Sequence, residues 1–219
     1  MKYYALMAKE EDGCPAGFYS AYLVPAFTKD VEESEFGLHP WYAGPNRIDQ
    51  PIRPFPANLA LITKISSYSF DIKSGSRYFY VASERFVRCL EGLRTNFLQV
   101  EQVDYLDYSG AAIDTEKYFV VRTRKVPKAD ALNLELSLFR AENPRQFERI
   151  AIDPSMDLDV FDIAGLSPNQ ITLACSQKAK DAFRAAKIRG VEFVEIDQIQ
   201  RTEIHRSEIY VPPTYPDPI

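Results

Sequence analysis

The apolar positions of this chain recur with two periods, and the change from one to the other separates strands from helices. KYYALMA (2–8) and GFYSAYLV (17–24) are tyrosine-rich, β-favouring runs, separated by the turn-prone Glu-Asp-Gly-Cys-Pro. NLALITKI (58–65), YFYVA (78–82), KYFVVRTRKV (117–126), FERIAID (147–153), MDLDVFDI, ITLAC and VEFVEI read as further strands. FLQVEQVDYLDY (97–108) alternates throughout, which predicts a single half-buried strand. The period lengthens in SERFVRCLEGLR, where Phe86, Leu90 and Leu93 stand at i, i+4 and i+7, and again in SQKAKDAFRAAKI. Gly190 is placed to close the second helix in the left-handed conformation. LHPWYAGPNRIDQPIRPFP (38–56) holds too many prolines for a long helix or a central strand and reads as an ordered connection.

The two helical segments are twins. With Ser83 set over Ser176, Phe86 falls on Ala179, Cys89 on Ala182, Leu90 on Phe183, Leu93 on Ala186 and Val100 on Phe193. Each segment reads strand, serine, amphipathic helix, turn, strand. The pattern predicts an α+β fold: mixed, mainly antiparallel sheets with a few helices, built around two similar strand-helix-strand units. A single domain over residues 1–219 is expected, with a β- and loop-rich part (1–57), a core (58–200) and an extended Pro-rich tail (201–219). Ser83 and Ser176 stand immediately before their periodic residues, the N-cap position, where a hydroxyl contributes ~1 kcal/mol relative to alanine. Glu84 suits the positive end of the first helix.

Placed side by side, Cys175 and Ser176 also raise the question of nucleophilic chemistry. A helix N-terminus lowers a thiol pKa, and a serine needs a base and an oxyanion hole. LACSQ lacks the glycines of G-x-S-x-G, and the two histidines, His39 and His205, have no spacing that brings them to it. A hydrolase using Ser176 or Cys175 is therefore the lesser reading, and no catalytic residue is assigned. Asp153, Asp157, Asp159 and Asp162 are the best candidates for a cation site but lack the calcium-loop spacing. No metal is expected. No phosphate-cradling glycine motif is present in the sequence, and no cofactor is expected.

With 46% apolar and 26% charged residues the chain is of ordinary globular composition. No apolar run approaches the roughly 18 residues of a membrane span, and MKYYALMAKEEDG lacks a signal-peptide core. Cys14, Cys89 and Cys175 form no metal or redox pattern, so a reduced, cytoplasmic protein is expected, with no membrane partner. A net charge of −5 argues against nucleic acid and suits a basic protein partner.

Beyond these readings, VASERFVRCLEGL, YFVVRTRKVPKADALNLELS, RIAIDPSMDLDVFDIAG and ITLACSQKAKDAFRAAKIRGVEFVEI occur in an order that resembles a bacterial immunity-protein family of polymorphic toxin systems, the MXAN-0049 type. The resemblance rests on the S-E-R helix start, a D-x-F element, and a C-terminal S-x-x-x-K-x-A leading to G-V-x-F, here Ser176, Lys180, Ala182, Gly190, Val191 and Phe193. Asn133 stands where the pattern has an acid, and Asp162 where it has arginine. The resemblance implies a non-enzyme that binds a cognate toxin and protects the producing cell by covering it. It assigns no binding residues. The residues themselves point to DVEESEFGLHPWY, with Glu32, Glu33 and Glu35 facing a basic toxin and Trp41 and Tyr42 as anchors; the alternative is solvated glutamates and a tryptophan packing its own loop. A non-catalytic module for another protein or a small ligand is the second reading of function.

Overall fold

Alternating apolar residues pair into strands whose two faces feed different cores. The computed structural model describes residues 2–14, 21–29, 54–55, 57–63, 68–76, 79–113, 116–139, 141, 147–164 and 173–199. In chain order the strands are β1 (Tyr3–Ala8), β2 (Ala21–Val24), β3 (Ala60–Thr63), β4 (Ile72–Ser76), β5 (Phe79–Ser83), β6 (Phe97–Gln102) and β7 (Asp104–Leu106). They continue as β8 (Tyr118–Thr123), β9 (Leu138–Phe139), β10 (Phe147–Arg149), β11 (Val160–Phe161), β12 (Leu173–Ser176) and β13 (Val191–Glu195). Helices α1 (Glu84–Cys89), α2 (Lys128–Ala131) and α3 (Gln177–Ala185) complete the set. With mainly antiparallel sheets and few, short helices, the fold is α+β. The longest of these helices has nine residues, and no described helix is long and apolar enough to cross a membrane.

Two four-stranded antiparallel sheets have equivalent orders, β4-β5-β8-β6 and β11-β12-β1-β13. In each, a hairpin leads through a serine into a helix and then an edge strand. The first sheet takes its remaining strand, β8, from further along the chain. The second takes β1, from the opposite end. A three-stranded sheet, β2-β3-β7, and a two-stranded ribbon, β10-β9, flank this pair.

Strand alternation explains how the layers join. Tyr4 and Leu6 of β1 share a core with Ile72, Tyr80, Ala82 and Val121 of the other sheet, and with Phe86 and Phe183 of the two helices. Those phenylalanines stack with centroids 4.9 Å apart, worth ~1 kcal/mol beyond their burial. Tyr3, Ala5 and Met7 point the other way, toward the β9–β10 ribbon and α2. Phe79, Val81 and Val120 likewise turn to the three-stranded sheet. Each four-stranded sheet is thus covered on both faces.

Three features depart from the pattern. The run 97–108 is two strands, because Val103 donates its N–H to Tyr118 O (3.1 Å) while Asp104 donates to Leu59 O (2.8 Å). The chain changes sheets there, and β7 pairs parallel to β3. Alternation hides the corner because Val103 and Tyr105 stay buried in one core. The end of α3 is closed by Lys187 rather than Gly190. Lys187, at φ +55°, bonds Arg184 O and the next residue, Ile188, bonds Phe183 O, which satisfies the last carbonyls. Gly190, at φ +74°, instead lets the chain pass Cys14 as β13 begins; a Cβ there would lie 3.1 Å from Cys14 Cβ. Finally, IKSGS forms β4 although its composition is a poor strand, and it carries Lys73 into the interior.

Candidate functional site

The residues that carried a chemical question are found at the two hairpin-to-helix junctions. Ser83 Oγ accepts the N–H of Phe86 (3.1 Å) and Ser176 Oγ that of Ala179 (3.2 Å), so the structure places both at helix N-caps. Each hydroxyl donates to a buried carboxylate: Ser83 to Asp71, and Ser176 to Asp159 at 2.7 Å. The backbone repeats the link, with Ser83 N–H on Asp71 O (2.9 Å) and Ser176 N–H on Asp159 O (2.8 Å). Across the sheet Ser83 faces Tyr118 and Ser176 faces Tyr3. Tyr118 donates its hydroxyl hydrogen to the carbonyl before Asp71, and Tyr3 to Met156 O and to the carbonyl before Asp159.

The carboxylates also tie the two units to each other. Asp71 Oδ2 accepts the N–H of Arg189 (2.6 Å), beyond the helix of the second unit. Asp159 Oδ2 accepts the N–H of Arg94 (2.9 Å), beyond the helix of the first. Arg85 lies 3.6 Å from Asp71 and Lys178 lies 3.5 Å from Asp159, each two residues past its serine. Burial opposes ionisation of Asp159, but the Arg94 N–H, the Ser176 hydroxyl and the Lys178 ammonium hold its pKa below the usual value. Sequence spacing pairs the serines; it does not find their aspartates, which stand immediately before β4 and β11.

This arrangement is unsuited to nucleophilic attack. Ser176 and Cys175 are fully buried. Burial pushes the Cys175 thiol up to about 12, with Lys180 opposing the rise only in part. Lys180 places its Nζ 3.4 Å from the centroid of the Tyr4 ring. Phe193 stacks on Phe183. The serine, lysine, glycine and phenylalanine of the C-terminal motif are therefore engaged in the fold.

The four aspartates of the acidic stretch are dispersed. Asp153 accepts the N–H and hydroxyl of Ser155 in a turn, Asp157 pairs with Arg94, and Asp159 sits at the Ser176 junction. Asp162 accepts from Tyr80 (2.8 Å) and Thr123 (3.3 Å) and pairs with Lys125. Among the described residues no three His, Cys, Asp or Glu side chains converge as metal ligands. Glu32, Glu33, Glu35, Trp41, Tyr42, His39 and His205 lie outside the described residues.

A different surface, which sequence reasoning missed, is formed by the chain from α2 to the ribbon. Leu134, Leu136 and Leu138 are 52%, 55% and 49% exposed and join none of the packed clusters. Asn133 stands just before them, and the buried Ser137 lies between Leu136 and Leu138. Asn133 Oδ1 accepts the N–H groups of Glu135 and Leu136 (both 3.1 Å), a role an aspartate fills equally well. Ser137 Oγ donates to Asn133 O (2.7 Å) and accepts from Ala151 N–H (3.1 Å), and Arg149 Nε donates to Leu136 O (3.0 Å). Leu132 and Phe139, at the two ends, pack into the core under the second sheet. In sequence the alternation N-L-E-L-S-L looks like one face of a buried strand, and only the turn at 134–136 shows that the leucines face out.

No curated protein matches the chain. The family model described as Immunity protein 43 matches residues 45–202, well over half of the chain; it bears on the immunity-protein resemblance and not on the MXAN-0049 type. The match spans the serine junctions, both helices and the leucine-bearing loop. The chain belongs to the Immunity protein 43 family.

Proposed function

We propose that this chain binds and neutralises a cognate bacterial toxin by direct contact, in the cytoplasm of the cell that makes the toxin, without turning over a substrate. The observation that carries the reading is the family match over residues 45–202. It is supported by the burial of Ser176 and Cys175, which occupies the conspicuous nucleophile candidates with the fold. The net charge of −5 favours a basic toxin, because opposite charge accelerates encounter. Glu32, Glu33 and Glu35, with Trp41 and Tyr42, are one proposed contact on this reading.

The test is co-expression with the toxin domain of the adjoining reading frame. Growth restored by this chain, together with a stable complex on size-exclusion chromatography, supports direct neutralisation. Growth arrest that this chain leaves unchanged overturns it.

A further inference from the structure

We propose that the loop bearing Leu134, Leu136 and Leu138 is the surface that docks the toxin, an inference that rests on the immunity reading above. Three half-exposed leucines within five residues are an unusual burden for a soluble surface, where contiguous apolar patches mark contact sites. The loop is held in place without them: the side chains of Asn133, Ser137 and Arg149 hydrogen-bond its backbone. A pre-formed apolar knob loses little conformational freedom on binding, which favours affinity.

Other exposed apolar residues are accounted for differently. Tyr22 packs edge-on against Tyr108, and Phe27 covers Gly110. Leu98 and Val100 lie at the sheet edge along the half-exposed β6.

Charge around the loop defines the occupant. Asp130, Glu135 and Glu148 are exposed beside the leucines. Against these three carboxylates stand two described cations, Arg149, whose Nε donates to Leu136 O, and Lys128, whose Nζ lies 4.3 Å from the Phe139 ring centroid, so the described charges here have an acidic excess of one. The complementary partner is a protein surface with an apolar recess edged by lysine or arginine, and the occupant is the toxin.

The probe is the purified toxin domain of the adjoining reading frame, with binding kinetics measured on an immobilised chain. Leu134→Ser, Leu136→Ser and Leu138→Ser combined is expected to weaken binding about 100-fold, mainly through faster dissociation, with the thermal midpoint unchanged. Should the triple variant lose its fold, Leu136→Glu alone, expected to weaken binding about 30-fold, decides the matter. Glu135→Lys with Glu148→Lys is expected to slow association. Wild-type binding with both leucine variants within twofold of it overturns this surface and leaves the immunity reading intact. A wild-type chain that neither binds nor neutralises the toxin overturns both.

Discussion

Ser176 Oγ lies 2.7 Å from Asp159 Oδ1, with the serine fully buried and the aspartate 2% exposed. One hydroxyl therefore caps a helix and solvates a carboxylate inside the protein. Ser176→Ala removes both functions and leaves an interior charge short of a donor. The expected loss is about 2–3 kcal/mol, more than the ~1 kcal/mol of a cap alone, measured by urea denaturation. A loss confined to the cap value would show that Asp159 finds another donor.

The pH dependence follows from the depressed pKa of Asp159. Its hydrogen bonds favour the ionised form in the folded state, so its contribution is complete above the ordinary value of 3.8 and disappears as pH falls through the lower folded value. The stability gap between wild type and Asp159→Asn is expected to be constant near neutrality and to close only in acid. Chemical denaturation of the two proteins in parallel from about pH 7 to 3 measures it.

Lys73 is 2% exposed, and its Nζ has no hydrogen-bond partner among the described residues. Burial pushes its pKa down to about 8, against an ordinary 10.5, with Cys14 and Glu10 opposing. The folded state favours the neutral amine, so the penalty is complete below about pH 8 and vanishes as pH rises through 10.5. Lys73→Met is expected to stabilise the protein by about 2–3 kcal/mol at neutral pH, with the gain shrinking above pH 8. A pH-independent gain would assign the effect to packing.

Backbone geometry gives a pair of opposite outcomes. Lys187 holds a left-handed conformation that glycine adopts without cost, so Lys187→Gly is expected to raise stability by about 0.5–1 kcal/mol. Gly190→Ala adds a Cβ against Cys14 at φ +74° and is expected to cost about 1–3 kcal/mol. Thermal melts of the two variants test both signs.

Charge reversal of Glu32, Glu33 and Glu35 to lysine is expected to reduce the association rate with the toxin about tenfold at low salt and to flatten its salt dependence. Unchanged stopped-flow kinetics remove this segment from the interface.

Local pattern was sufficient for β1, β8, β13 and the two serine-led helices, because each is set by its own alternation or cap. It failed where the cause is distant. β4 is a weak strand held by pairing to β5, and Lys73 is carried inside with it. The aspartates at the serine junctions stand just before β4 and β11, 12 and 17 residues upstream of their serines. Val103 and Leu134 keep a regular period through a corner and a turn. The leucines are invisible for the same reason, since alternation says which side a residue takes and not whether anything covers that side.

The place of β1 has a consequence for biosynthesis. Tyr3–Ala8 is an interior strand whose neighbours are Leu173–Ser176 and Val191–Glu195. At about 5–20 residues per second, a ribosome exposes this apolar segment for roughly 8–33 s before either neighbour emerges. The first sheet and its helix can assemble during that wait, whereas the second cannot close until Leu173–Ser176 and Val191–Glu195 have been made. Loss of Tyr3–Ala8 and loss of Val191–Glu195, far apart in sequence, would therefore open one and the same sheet.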